Sequence, residues 1–207
     1  MSGDDSKPSD ESSAEGFSTH ATLLLRIKAS EPQPREVAWR EFRDRYAPII
    51  AGFARNLGAR PQDVDDVIQD VILGFYARSA SFVYDPSKGR FRGYLKVCTF
   101  RVLRRRMGRA MFRAVPIEDV DPESLEVDQV WNDVWEQEQL KRALDATREE
   151  YRANGTFRAF ELYVILGHRP EDVAREVGVS VESVYKAKTR VTQVLRSKLR
   201  ELTEEQG

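Results

Sequence analysis

The sequence predicts an all-α protein: two small helical domains joined by an acidic linker, the second containing a helix-turn-helix. Three observations carry this reading. Apolar residues recur at helical spacing along nearly the whole chain after residue 19, and no stretch alternates as a half-buried strand would. Proline and glycine fall between those periodic runs, where they open and close helices. A net charge of −1 also conceals strong segregation, with two basic blocks on either side of an acidic one.

The chain has 207 residues, of which 41% are hydrophobic and 32% charged, enough to bury a core beneath well-solvated surfaces. Residues 1–18, rich in Ser, Asp and Glu, read as a disordered acidic tail. Thr19 is placed to cap a short helix from about His20 to Ala29. Pro34 is placed to start another, with Ala38, Phe42 and Tyr46 on one face, before Pro48 perturbs it. A further helix follows to Leu57, where Gly58 ends it. Pro61 opens the helix that contains "DVDDVIQDVI", and "SFVYDPSKGRFR" is a loop by its Asp-Pro and Lys-Gly pairs. The next helix covers about Phe91 to Arg106. The first domain therefore spans 19–113, the acidic, Pro-punctuated linker 114–128, and a second helical domain 129–204.

Function classes narrow from the same composition. The single cysteine, Cys98, excludes an internal disulfide and suits a reducing, cytoplasmic compartment. No apolar run approaches the length of a membrane span, so membrane insertion is not expected. Two histidines, His20 and His168, give little material for a zinc site or a His-based catalytic pair. Neither a cofactor nor an enzyme activity is expected. Residues 101–113 hold six arginines and no acid, and 179–200 hold six basic residues against Glu182. Two such blocks suggest two surfaces for a polyanion.

The second domain has the sharper motif, "RPEDVAREVGVSVESVYKAKTRV". Pro170 suits a first helical position. Ala174 leaves room for a helix to cross closely, Gly178 permits the turn, and Ser180 can cap the next helix through the amide of Ser183. Val184 then packs back towards Ala174, which is the spacing that two helices crossing over a tight turn require. Val184, Val191 and Leu195 form the buried stripe. Glu182, Lys186, Thr189 and Gln193 face the other way, flanked by Tyr185 and Arg190. Such a face can read base edges, with Lys reaching guanine and Glu accepting from cytosine. The bland alternative is an ordinary solvated helical hairpin.

In the first domain the quoted helix has two faces. Val64, Val67, Ile68, Val71, Ile72, Phe75 and Tyr76 are its expected core side. Asp66, Gln69, Asp70 and Leu73 recur at i, i+3, i+4 and i+7 about half a turn away. A leucine within an acidic, hydrogen-bonding stripe suits a protein-docking surface. On the following helix Phe91, Leu95, Cys98 and Val102 are expected inside, with Lys96, Phe100, Arg101 and Arg104 elsewhere on its surface. Tyr84, Lys88, Arg90, Arg92 and Tyr94 add basic groups interleaved with aromatics, the combination that single-stranded nucleic acid needs.

Taken together, these segments resemble a family. "DVDDVIQDVILGFY" is similar to the acidic signature of bacterial RNA polymerase sigma factors, "FRGYLKVCTFRVLRRR" to the promoter-reading helix that follows it, and the helix-turn-helix to their fourth conserved region. The resemblance covers about residues 20–203 and is closest to the extracytoplasmic-function (ECF) group, which has two domains and a short linker. It implies that Asp66, Gln69 and Asp70, with Leu73 on the same stripe, dock on the clamp coiled coil of the largest subunit of core RNA polymerase. It implies that Tyr84, Lys88, Arg90, Arg92, Tyr94, Lys96, Arg101, Arg104 and Arg105 serve recognition and opening of a minus-ten promoter element. Glu182, Ser183, Tyr185, Lys186, Thr189 and Arg190 match the minus-thirty-five reader. Promoter DNA and core polymerase are thus the implied partners, an anti-sigma protein is a third candidate, and the acidic linker resembles the segment that threads the RNA-exit region.

Two rival functions are compatible with parts of the sequence. A helix-turn-helix regulator with its own N-terminal sensing domain would bind duplex DNA unaided, as a dimer on a palindrome. A metal-dependent nuclease would gather Asp63, Asp65, Asp66 and Asp70 on an ion, although Asp65 points away from Asp63 and Asp70 on a helix.

Overall fold

A computed structural model describes residues 20–28, 31–82, 91–107 and 124–204, and all regular structure among them is helical. The acidic tail, Thr19, Tyr84, Lys88, Arg90 and most of the expected linker lie outside the described residues.

Helix α1 (His20–Ile27) lies on α2 (Pro32–Asn56), burying Leu23, Leu24 and Ile27. Helix α2 starts at Pro32, two residues before the expected Pro34, and runs without interruption through Pro48. The expected break is absent for an energetic reason. A proline in a helix interior costs about 3 kcal/mol. Phe42, Tyr46, Ile49, Ile50 and Phe53 straddle it and are all 2% exposed or less. Each contributes roughly 1.5–3 kcal/mol on burial, and a continuous helix keeps all five on the core side. Gly58, at φ +91, turns the chain into Pro61 and α3 (Pro61–Ser79).

The core of this first unit is built of rings. Phe75 lies at its centre, stacked on Phe42 at 4.8 Å between centroids and edge-on to Phe91 at 5.5 Å and Phe82 at 5.4 Å. Helix α4 (Phe91–Met107) closes the cluster. Its buried seam departs from the expected one: Phe91 and Leu95 are inside, but Lys96, Thr99, Phe100 and Leu103 are buried while Cys98 and Val102 are only half-buried. The seam turns because α4 has a second neighbour. Lys96 pairs with Asp128, and Arg92 donates to Asn132, both on α5.

Helix α5 (Leu125–Glu150) begins at Ser124, whose hydroxyl accepts the amide of Val127. Val127, Trp131, Val134 and Trp135 are buried in the ring core of the first unit, with Trp131 edge-on to Phe53 at 4.9 Å. Gly52 allows this approach, since a Cβ there would sit 2.7 Å from Val134 Cγ1. Further along the same helix, Leu144 packs with Phe157, Phe160 and Val191 of the C-terminal unit. One helix thus contributes to both cores. The stripe Val127–Trp131–Val134–Trp135 has the spacing to do so, and the acids of this stretch occupy its other faces.

The C-terminal unit comprises α6 (Thr156–Phe160), which continues as one π-helical turn (Glu161–Ile165), then α7 (Pro170–Val177) and α8 (Val181–Glu204). Its main core is mostly small residues, Ala159, Val173, Ala174, Val184 and Ala187, around Leu162.

Candidate functional site

The first surface lies on α3. Val64, Val67, Val71 and Phe75 are buried, and Ile68 and Ile72 half-buried, so the opposite side of the helix is fixed outward by the core. Asp66, Gln69 and Leu73 are exposed there, Leu73 by 53%, and Asp70 is half-buried. Tyr76 corrects the expected core list: it is 51% exposed, its ring tilted against Trp39 at 4.9 Å. It extends the stripe, and the i+3 step from Leu73 was the signal for it. Leu73, Ile72, Tyr76 and Trp39 line a groove of about 530 Å³ walled by Arg35, Arg40 and Arg43 of α2.

The acids of the stripe are not bare. Asp70 Oδ2 accepts from Arg105 Nη2 at 2.8 Å and from Arg106 Nε at 2.6 Å, and Arg106 Nη1 donates to Asp66 Oδ2 at 2.9 Å. The Arg106 hydrogen bond, with Arg105 adding to it, holds the Asp70 carboxyl below the usual carboxylate range. Arg106 was an anonymous member of the arginine run in the sequence, since nothing in local spacing pairs it with residues 66 and 70.

Among the described residues no group of three or more His, Cys, Asp or Glu side chains could hold a metal ion. Asp63 instead accepts from Arg60 at 2.7 Å at the start of α3. The four aspartates of the motif do not converge.

The second surface is α4, and most of its expected residues are otherwise engaged. Lys96 is 8% exposed and ion-paired with Asp128. Arg92 donates to Asn132 and lies 5.3 Å over the Trp135 ring. Tyr94 is half-buried between Phe82 and Phe91, with centroids at 5.1 and 5.7 Å. Burial, with a contribution from Cys98, raises its hydroxyl above the ordinary pKa. Phe100, expected on the surface, is 1% exposed. Arg101 and Arg104 are exposed and turned to solvent. A run of aromatics and cations fits both a nucleic-acid face and a helix packed on two sides, and here much of it does the second job.

The third surface is the outer face of α8. Gly178, at φ +75, ends α7, and its amide donates to Ala174 O at 3.0 Å. Ser180 Oγ accepts the amide of Ser183 at 3.1 Å, while Val184 and Val191 are fully buried. That arrangement leaves Glu182, Ser183, Tyr185, Lys186, Thr189 and Arg190 all exposed. Lys186 Nζ sits 2.6 Å from Glu182 Oε1 and lowers the Glu182 pKa. Ser183 shares its hydroxyl with Ser180, and Thr189 donates to Tyr185 O. Lys186, Tyr185 and Arg190 thus present the outward-reaching groups.

Comparison with known proteins finds one family match, to part of the chain. The family described as Sigma-70 region 2 matches residues 42–113, which contain α3 and α4. The solved structure of CnrH in complex with the cytosolic domain of CnrY is similar at 22% identity. That match covers 89% of this chain and 97% of CnrH, with a TM-score of 0.34. No curated protein matches the chain. No helix among the described residues is long and apolar enough to cross a membrane.

Proposed function

We propose that this chain, which carries a sigma-70 region 2 over residues 42–113, works as a sigma factor of the ECF type. It is a non-enzymatic initiation factor that binds core RNA polymerase and directs it to promoters. The observation that carries this is the division of α3. One face is locked into the ring core, and the other presents Asp66, Gln69, Asp70 and Leu73 within the region matched by the family. In this reading the stripe docks on the clamp coiled coil. Arg101 and Arg104 hold phosphates of a minus-ten element and help its melting, and the outer face of α8 reads a minus-thirty-five element through Lys186, Tyr185 and Arg190.

The test is capture of core polymerase by the full chain, wild type against Gln69→Lys/Leu73→Lys. These two positions are preferable to Asp66 and Asp70, where lysine would face Arg105 and Arg106 as well as the partner. Exposed substitutions cost the fold within about 0.5 kcal/mol, whereas like charge across an interface costs several. The expected outcome is normal melting with capture lost. Normal capture by the double variant would remove the docking role of the stripe. Tight, dimeric binding of duplex DNA by the free chain, with no capture of polymerase, would instead establish the regulator reading.

A further inference from the structure

The cations that hold the acidic stripe belong to the helix expected to hold DNA. Arg105 and Arg106 stand in the last turn of α4, 35 and 36 residues from Asp70, and reach back across to α3. Three contacts of 2.6–2.9 Å join two guanidinium groups to two carboxylates. The network is shallow: the side chains of Asp66 and Arg105 are 59% and 68% exposed, those of Asp70 and Arg106 24% and 33%. Exposed ion pairs contribute little individually, so a network of this exposure is weak enough for a stronger partner to displace.

We propose that Arg105 and Arg106 form an internal cover over Asp66 and Asp70, and that this cover couples the two surfaces. While it is closed, the stripe presents carboxylates already neutralised, and the arginines offer a nucleic-acid backbone little net positive charge. A basic protein surface that takes Asp66 and Asp70 releases both guanidinium groups toward phosphates. Phosphates that take the arginines uncover the acids in return. Linkage makes the effect reciprocal: each ligand improves binding of the other by the same factor. The free chain is thereby a weaker binder of both than the uncovered one. The identity of the protein ligand rests on the sigma-factor reading. The cover itself does not.

The cover is tested without polymerase, by a four-member cycle on the full chain: wild type, Asp66→Asn/Asp70→Asn, Arg105→Gln/Arg106→Gln, and all four together. Binding to a short labelled thymidine oligonucleotide is measured by anisotropy as a function of salt. Removing the acids should tighten binding about fivefold more when the arginines are present than when they are absent. The salt slope should steepen by roughly 0.7 per released arginine. The cycle cancels the general effect of deleting negative charge. Equal gains in both backgrounds would overturn the proposal.

In a second arm, Arg105→Gln/Arg106→Gln should capture core polymerase several-fold more tightly than wild type. Equal or weaker capture also counts against the cover. If no form of the chain captures polymerase, the sigma-factor reading fails, and the oligonucleotide cycle still decides whether the cover exists.

Discussion

The two units hold themselves together by different means. In the first, Phe42, Tyr46, Phe53, Phe75, Phe91, Trp131 and Trp135 interlock, so each element touches several others through a wide ring. In the second, Ala159, Ala174 and Ala187 let helix backbones approach closely around Val173 and Val184. Rings reach far, so charged residues on neighbouring helices come within range of one another. Arg92, Lys96, Asp66 and Asp70 are all paired inside the first unit. Small residues leave α8 lying close on its support; on its outer face Glu182 and Lys186 pair within the helix, and Tyr185 packs edge-on to Tyr163 at 5.7 Å. Charges in the first unit are paired across helices, whereas Glu182 and Lys186 of α8 pair only with each other, and it is Lys198, further along, that reaches Glu150 of α5.

That contrast can be broken most severely at Val71, which is 3% exposed beneath the rings. Val71→Asp buries an unpaired charge and should destabilise the first unit by about 3–5 kcal/mol, seen as loss of its cooperative melt. Next is overpacking of the small-residue core. Ala174 is 8% exposed where α7 meets α8, and Ala174→Leu should cost about 1–3 kcal/mol. Amide exchange should show that loss in α6–α8 and leave α3 and α4 protected.

Smaller effects sharpen the difference in charge duties. Lys96→Ala removes the partner of Asp128, which retains some access to water, so the cost should be about 1–2 kcal/mol. Lys186→Ala breaks only an exposed i,i+4 pair and should leave the melt essentially unchanged. If α8 reads bases, it should still lower promoter affinity by roughly 1–3 kcal/mol in a sequence-dependent way. Equal melting losses for Lys96→Ala and Lys186→Ala would erase the distinction between the two units.

The finest test is a titration. Asp70 is held below its ordinary pKa by Arg106 and Arg105. Its contribution to stability is therefore present above the ordinary carboxylate range and is lost as pH falls through the depressed value. Carboxyl chemical shifts should follow that direction, and Arg106→Gln should return Asp70 toward the ordinary value.

Much of this was legible in the sequence because it is local. The turn at Gly178, the Ser180 cap and the buried Val184 and Val191 follow from spacing within about a dozen residues. The outward direction of Asp66, Gln69 and Leu73 follows from the apolar period of α3 alone. What periodicity could not supply was the second neighbour of a helix. The seam of α4 rotated toward Lys96 and Phe100 because α5 stands beside it. Likewise, the continuity of α2 through Pro48 depends on rings donated by α3, α4 and α5. The pairing of Arg106 with Asp66 spans 40 residues, and no local pattern encodes it.

The shared helix α5 also sets what the protein's own light emission can report. All three tryptophans of the chain, Trp39, Trp131 and Trp135, belong to the ring core of the first unit. Two of them sit on the helix that continues into the C-terminal unit. Any partner that draws α5 away from α2 would wet both indoles and shift their emission to the red, even if α6, α7 and α8 kept every internal contact. The unlabelled chain is thus its own optical gauge of whether its halves stay docked.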